Sequence, residues 1–167
     1  MSEVLQTKAA EIHINTGVPR EERRELAQRL GVNLADSYTL YLKTQGFHWN
    51  VAGPLFYSLH KLTESQYEDL AEAIDEIAER IRALGFPAPA SYRQFIELTR
   101  VSEEHGVPTA QEMVRQLVEA NEITARNLRQ SIHEAEQVDD VKTADMLTDR
   151  LGQHEENIWM LRALLAD

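Results

Sequence analysis

The chain has 167 residues, 43% of them hydrophobic and 27% charged, with 17 Lys and Arg against 28 Asp and Glu and no cysteine. Such a length supports one domain with a single sizeable core, and the lack of cysteine excludes disulfides, iron–sulfur clusters, thiolate zinc sites and cysteine nucleophiles. A net charge of −11 opposes non-specific binding to phosphate backbones and favours cations as partners. The longest apolar stretches, around residues 51–62 and 158–166, are interrupted and far shorter than the roughly 20 residues that cross a bilayer. The first residues lack the basic start, apolar run and cleavage site of a secretory signal, so a cytoplasmic location is expected.

Glycine and proline cluster at Gly17/Pro19, Gly53/Pro54, Gly85/Pro87/Pro89 and Gly106/Pro108, cutting the chain into long helical segments. The first, from about Arg20 to Phe47, repeats apolar residues at helical spacing: Leu26, Leu30, Leu34, Tyr38 and Tyr41. The second opens at Gly53-Pro54 and runs to Leu84, where Gly85 stops it. A long connection follows, in which Ser91 and Gln94 have capping-box spacing and predict a short helix. Thr109 and Glu112 form a second capping box, opening a helix with a stripe of Val114, Leu117, Val118, Asn121, Leu128 and Ile132 that ends near Gln137. Asp139 and Asp140 are expected to cap the last helix, whose apolar face holds Leu147, Leu151, Ile158, Leu161 and Leu165. The expected fold is therefore all-α: a four-helix bundle of the ferritin-like kind, with a short helix in the long crossover between the second and third long helices. Residues 1–18 are expected as an N-terminal extension that is not basic and whose order the sequence leaves open, ahead of one domain over 19–167.

The densest chemistry lies between Phe47 and Leu84. On the second helix, 100° per residue puts His60, Glu64, Glu68, Asp75 and Glu79 within an arc of roughly 100°. One face thus presents an imidazole and several carboxylates, with His48 just upstream, a donor set that suits Fe(II), Mn(II) or Zn(II). Fifteen residues separate His60 from Asp75, about 22 Å along a straight helix, so one chain cannot wrap both around one ion. A two-fold axis packing this helix antiparallel on its copy, crossing near Tyr67 and Glu68, would bring His60 and Glu64 of one subunit towards Asp75 and Glu79 of the other. No Glu-x-x-His pair of the kind that builds a di-iron centre inside one bundle is present. The ordinary reading of Glu68, Asp69, Glu72 and Glu76 is a solvated face, that of Trp49 and Trp159 a core or interface aromatic, and that of His154 a hydrogen-bonded packing residue between Leu151 and Ile158. His13, His105 and His133 have no carboxylate constellation around them.

The stretch Phe47-His-Trp-Asn-Val-Ala-Gly-Pro-Leu-Phe-Tyr-Ser-Leu-His60, followed by Asp75-Glu-Ile-Ala-Glu-Arg-Ile-Arg-Ala-Leu-Gly85, resembles the Dps family, the DNA-binding proteins from starved cells, and the likeness extends to His154-Glu-Glu-Asn-Ile-Trp-Met-Leu-Arg162. The resemblance implies a homo-oligomer, with the dimer as site-forming unit and a hollow dodecamer as the shell. It also implies ferroxidase activity, in which Fe(II) is oxidised at intersubunit sites, typically by hydrogen peroxide, and ferric mineral is stored inside, which limits oxidative damage. By position it makes His48 and His60 ligands from one subunit and Asp75 and Glu79 ligands from its partner. Glu64 then assists a second, weaker iron, and Trp49 is an aromatic beside the site. Zinc or manganese in place of iron stays open, because these donors discriminate weakly. Asp139, Asp145 and Asp149 match acidic positions lining a three-fold iron-entry pore in similar proteins, with Asp140 a close substitute. The alternative function, a DNA-coating nucoid protein with secondary iron chemistry, is disfavoured: residues 1–20 carry Lys8 and Arg20 against Glu3 and Glu11, so no basic tail is expected.

Overall fold

Residues 12–166 are described by the computed structural model, and among them every regular element is a helix: α1 Arg20–Asn50, α2 Phe56–Ala83, α3 Tyr92–Leu98, α4 Ala110–Gln137 and α5 Val141–Ala163. Helix α1 pairs with α2 and α4 with α5 as two antiparallel hairpins. The hairpins meet where α1 faces α4 and α2 faces α5, while α3, in the crossover, lies on α1. This is the expected bundle with a long connection between its halves. No helix among the described residues is long and apolar enough to cross a membrane.

Local chemistry sets the breaks. Helix α2 ends in a double turn in which Phe86 N–H donates to Ile81 O at 3.3 Å and Gly85 N–H to Arg82 O at 3.0 Å, the pattern that requires a left-handed residue after the cap. Gly85 supplies it with φ +103, and a Cβ there would sit 3.0 Å from Ile12 O and 3.1 Å from Arg23 Nη1. Helix α4 ends the same way, with Asp140 N–H to Ala135 O at 2.9 Å and Asp139 N–H to Glu136 O at 3.2 Å, but here Asp139 takes the left-handed position with φ +57. Asp139 therefore terminates α4 instead of capping α5. Asp140 alone caps α5, accepting from Thr143 N at 3.2 Å and Thr143 Oγ1 at 2.6 Å. Both N-caps form, Ser91 Oγ accepting from Gln94 N and Thr109 Oγ1 from Glu112 N, but the return halves of the boxes go elsewhere, Gln94 Oε1 accepting from Ala90 N and Ser91 Oγ and Glu112 from Arg115.

The boundaries near the site shift by two to three residues. Gly53–Leu55 make a turn, closed by Phe56 N–H on Gly53 O at 2.9 Å, so α2 starts at Phe56 and not at Pro54. Helix α1 continues to Asn50, which carries His48 and Trp49 into its last turn.

The core falls into two apolar clusters. One gathers Leu26, Leu30, Leu34, Ile77, Ile81, Leu128 and Leu147; the other gathers Leu40, Phe47, Leu59, Leu70, Met113, Leu117 and Leu161. In α1, α4 and α5 the residues between the clusters are buried and polar: Asp36 and Ser37, then Asn121 and Thr124, then Arg150, His154 and Asn157. Each buried polar group demands a partner. Asp36, fully buried, accepts from Arg100 N at 2.6 Å, Thr99 Oγ1 at 3.1 Å and Asn127 Nδ2 at 2.7 Å, tying the crossover and α4 to α1. Asn33 donates to Ser131 Oγ at 2.8 Å. Arg150 donates to both carboxylate oxygens of Asp69, at 2.9 and 2.7 Å, so Asp69 joins α2 to α5 and is not part of a solvated face. Ile132, Ile158 and Leu165 are half-buried at the stripe edges, and Leu165 lies past the end of α5.

The expected N-terminal extension lies partly outside the described residues. Its residues 12–18 are held by the buried Arg23, which donates to Ile14 O at 3.0 Å, Val18 O at 3.1 Å and Leu84 O at 2.5 Å.

Candidate metal centre

The turn between α1 and α2 folds the end of one helix back on the start of the next, and this brings His48 and His60 face to face. Their rings stack at 3.8 Å with planes 15° apart. His48 Nδ1 lies 2.8 Å from His60 O, and His60 Nδ1 lies 2.9 Å from His48 O. A backbone carbonyl can only accept, so each Nδ1 carries a proton, and the neutral form of each ring holds its lone pair on Nε2. A reciprocal pair of this kind fixes the tautomer and ring orientation, the role that partners behind a metal-bound histidine ordinarily play. His48 is buried and His60 half-buried.

Two aromatic neighbours, not anticipated from the sequence, complete the walls. Phe56 stacks on His60 at 5.1 Å and Tyr67 meets His48 edge-on at 5.2 Å. Phe56 stands one helical turn before His60 and Tyr67 two turns after it, so helical spacing was the available signal.

Glu64, one turn beyond His60, is half-buried and ion-paired to Lys61 Nζ at 2.7 Å. The hydrogen bond and charge of Lys61 hold its carboxyl below the usual range against partial desolvation, with smaller help from His48 and His60. A carboxylate that stays ionised beside two imidazole lone pairs is a hard anionic donor. Asp75 and Glu79 lie further along α2 and are exposed. They do not join the histidines within one chain, and among the described residues no group of three His, Asp or Glu side chains is placed to hold a metal ion. Each chain thus presents an imidazole pair where α1 turns into α2, one helical turn from Glu64, and a carboxylate pair further along α2.

Trp49 and Trp159 are 63% and 67% exposed, so neither is a core residue of the chain. Asp145 and Asp149 are exposed on the first turns of α5, Asp145 near Lys142 at 3.4 Å, and Asp139 is exposed in the turn before them. Asp140 is different. It is 4% exposed and bound by Arg80 Nη2 at 2.7 Å, so it does not substitute for a pore carboxylate. Hydrogen bonds to Thr143 and Arg80 outweigh desolvation and hold its carboxyl below the ordinary value. His154 is a packing residue: it is 1% exposed, with Nδ1 at 2.8 Å from Asn121 Oδ1. Burial, aided by the Arg150 charge and opposed by Asp69, lowers its pKa to about 3.

The ferritin-like domain family matches residues 27–167. A low temperature-induced protein of Nostoc sp. is 44% identical over 91% of this chain and 86% of its own length. DNA protection during starvation protein 2 of Bacillus anthracis is 34% identical over 85% of this chain and 97% of its own. The chain belongs to the ferritin-like Dps family. Among solved structures, the Dps protein of Vibrio cholerae O1, a member of a broad superfamily of ferritin-like diiron-carboxylate proteins, superposes with a TM-score of 0.88 at 28% identity, covering 95% of this chain and all of that one. The Dps fold of this chain keeps its imidazole pair at the α1–α2 turn, outside the bundle interior where Asn121, His154 and Asn157 are buried.

Proposed function

We propose that the protein is a miniferritin that binds Fe(II) as substrate at sites shared between two subunits, oxidises it with hydrogen peroxide, and stores the ferric product in a hollow shell of twelve chains. The observation that carries this reading is the reciprocal pairing of His48 and His60, which leaves two Nε2 lone pairs beside an ionised Glu64. Imidazole nitrogen binds Fe(II), and carboxylate oxygen from Asp75 and Glu79 of a second copy favours Fe(III) over Fe(II). With two irons in place, peroxide takes one electron from each and, with two protons, leaves two Fe(III) and two waters. An antiparallel α2–α2 packing would unite the half-sites, and the exposed Phe56, stacked on His60, supplies apolar surface for such a contact. Asp139, Asp145 and Asp149 are the proposed carboxylates of a three-fold entry pore, where a ring of negative charge concentrates Fe(II). The family's iron chemistry and the protective names of its members support the reading. Zinc and manganese are competitors for the same donors, not the favoured substrates. DNA coating is disfavoured by the charge of −11.

Subunit mixing tests the shared site. His60→Ala and Asp75→Asn each abolish rapid oxidation when assembled alone. If each site takes histidines from one chain and carboxylates from the other, a dimer of one His60→Ala and one Asp75→Asn chain keeps one intact site, and co-refolded mixtures regain part of the fast ferric absorbance. No recovery in verified mixed assemblies would refute the intersubunit site, and unchanged kinetics in the single variants would refute these ligands.

A further inference from the structure

Four of the five tyrosines of the chain stand in one ring-to-ring array that starts at the histidine pair. His48 meets Tyr67 at 5.2 Å, Tyr67 meets Tyr41 at 6.1 Å, Tyr41 meets Tyr38 at 6.0 Å, and Tyr38 meets Tyr92 at 6.2 Å between centroids. The rings come from α2, α1 and α3, so tertiary packing alone makes the array continuous. Tyr38 is steadied by stacking on the buried Phe95 at 4.7 Å. Tyr67, Tyr41 and Tyr38 are half-buried, whereas Tyr92 is 68% exposed on the chain. Trp49 is not part of this array. Phenylalanine would keep these ring contacts but not the hydrogen bond between the Tyr38 and Tyr92 hydroxyls, and only phenol adds a group that gives up one electron and one proton.

We propose that Tyr67, Tyr41, Tyr38 and Tyr92 form a relay that carries an oxidising equivalent away from the histidine pair when peroxide meets a site holding a single Fe(II). The proposal rests on the ferroxidase reading and concerns the case that the two-iron reaction leaves open. One Fe(II) supplies only one of the two electrons that hydrogen peroxide accepts. Tyr67 supplies the second with its proton, so Fe(II), hydrogen peroxide and the Tyr67 phenol give Fe(III), hydroxide, water and a neutral Tyr67 phenoxyl. Each later hop moves one electron and one proton from the next phenol to the radical, restoring the phenol left behind. Desolvation, with the neighbouring tyrosines, holds the Tyr38 phenol above its ordinary pKa, so it enters the reaction protonated. Charge-neutral hops suit a half-buried path, since a bare cation or phenolate there would pay desolvation. At Tyr92 a one-electron donor such as ascorbate monoanion returns a hydrogen atom and leaves as its radical anion.

The test uses the full-length assembled protein, with Fe(II) added anaerobically below one per site and then excess peroxide, in the presence of a nitroso spin trap. Peptide mass spectrometry locates the adducts. The wild type is expected to carry adduct at Tyr92, which ascorbate suppresses. Tyr38→Phe keeps the ring packing on Phe95 but interrupts the relay, so the Tyr92 adduct is lost and oxidation accumulates at Tyr41, Tyr67 and Trp49, while ferric formation at full iron loading stays at the wild-type rate. A Tyr92 adduct undiminished in Tyr38→Phe, or wild-type adduct confined to Trp49, overturns the relay with the ferroxidase reading intact. Ferric formation at the buffer rate in both proteins at full loading overturns the ferroxidase reading and the relay with it.

Discussion

Acid should destabilise this protein through one buried histidine. His154 sits between the two apolar clusters with Nδ1–H on Asn121 Oδ1, and burial with the Arg150 charge lowers its pKa to about 3. Unfolded, a histidine takes up its proton near pH 6.5. The unfolded chain therefore binds more protons than the folded one between pH 6.5 and 3, and stability falls as pH drops through that window. For a single group with these two values the loss is about 2 kcal/mol per chain between pH 7.5 and 5, and about 3 kcal/mol by pH 4. His154→Gln is the informative perturbation, because the amide can still donate to Asn121 but does not titrate. Urea unfolding of both proteins at fixed chain concentration, from pH 7.5 to 4, gives the difference in stability. The gap between wild type and variant is expected to shift in favour of the variant by about 2 kcal/mol on reaching pH 5. Parallel curves over the whole range would refute the reasoning and assign the acid response to other groups.

Asp36→Ala leaves three donors from the crossover and α4 without their acceptor inside the fold, and should cost about 3 kcal/mol, seen as a lower urea midpoint and faster hydrogen exchange between residues 99 and 101. Gly85→Ala places a Cβ at φ +103 against Ile12 O and Arg23 Nη1, so a loss of at least about 1 kcal/mol and a lower melting temperature are expected. Asp139→Gly relieves a non-glycine residue at φ +57 and should raise stability by about 0.5 to 1 kcal/mol, read from the same urea series. Arg150→Met leaves the Asp69 carboxylate on α2 without its two charged hydrogen bonds, so the variant should lose about 2 kcal/mol, read as a lower urea midpoint.

Local chemistry was legible in the chain because it depends on neighbours a few residues apart. The helix breaks at Gly53, Gly85 and Gly106, the N-caps at Ser91 and Thr109, and the apolar stripe of α4 all follow from backbone geometry and period. So did the reading of His154 as a packing residue, since it interrupts an otherwise apolar stripe. The helical spacing of His60, Glu64, Asp75 and Glu79 and their separation along α2 were equally visible, and they already implied that one chain cannot bring His60 and Asp75 to one ion.

Tertiary structure decided what depends on partners far along the chain. Asp69 read as part of a solvated face and Asp140 as a cap and pore acid, yet Arg150 and Arg80 from other helices hold them, because a guanidinium taken out of water needs a carboxylate opposite it. Asp139 looked like a cap and is a helix terminator, a matter of one φ angle that composition does not encode. The mutual hold of His48 and His60 needs the α1–α2 turn to bring residues twelve apart into stacking distance, and the tyrosine array needs α1, α2 and α3 at once. The sequence by itself determined the helices, their order and the inventory of candidate donors, since those rest on local period and residue type. Only packing decided which polar groups share a partner and which nitrogen of each histidine keeps a lone pair, because a buried hydrogen bond is chosen by whatever the fold places opposite it.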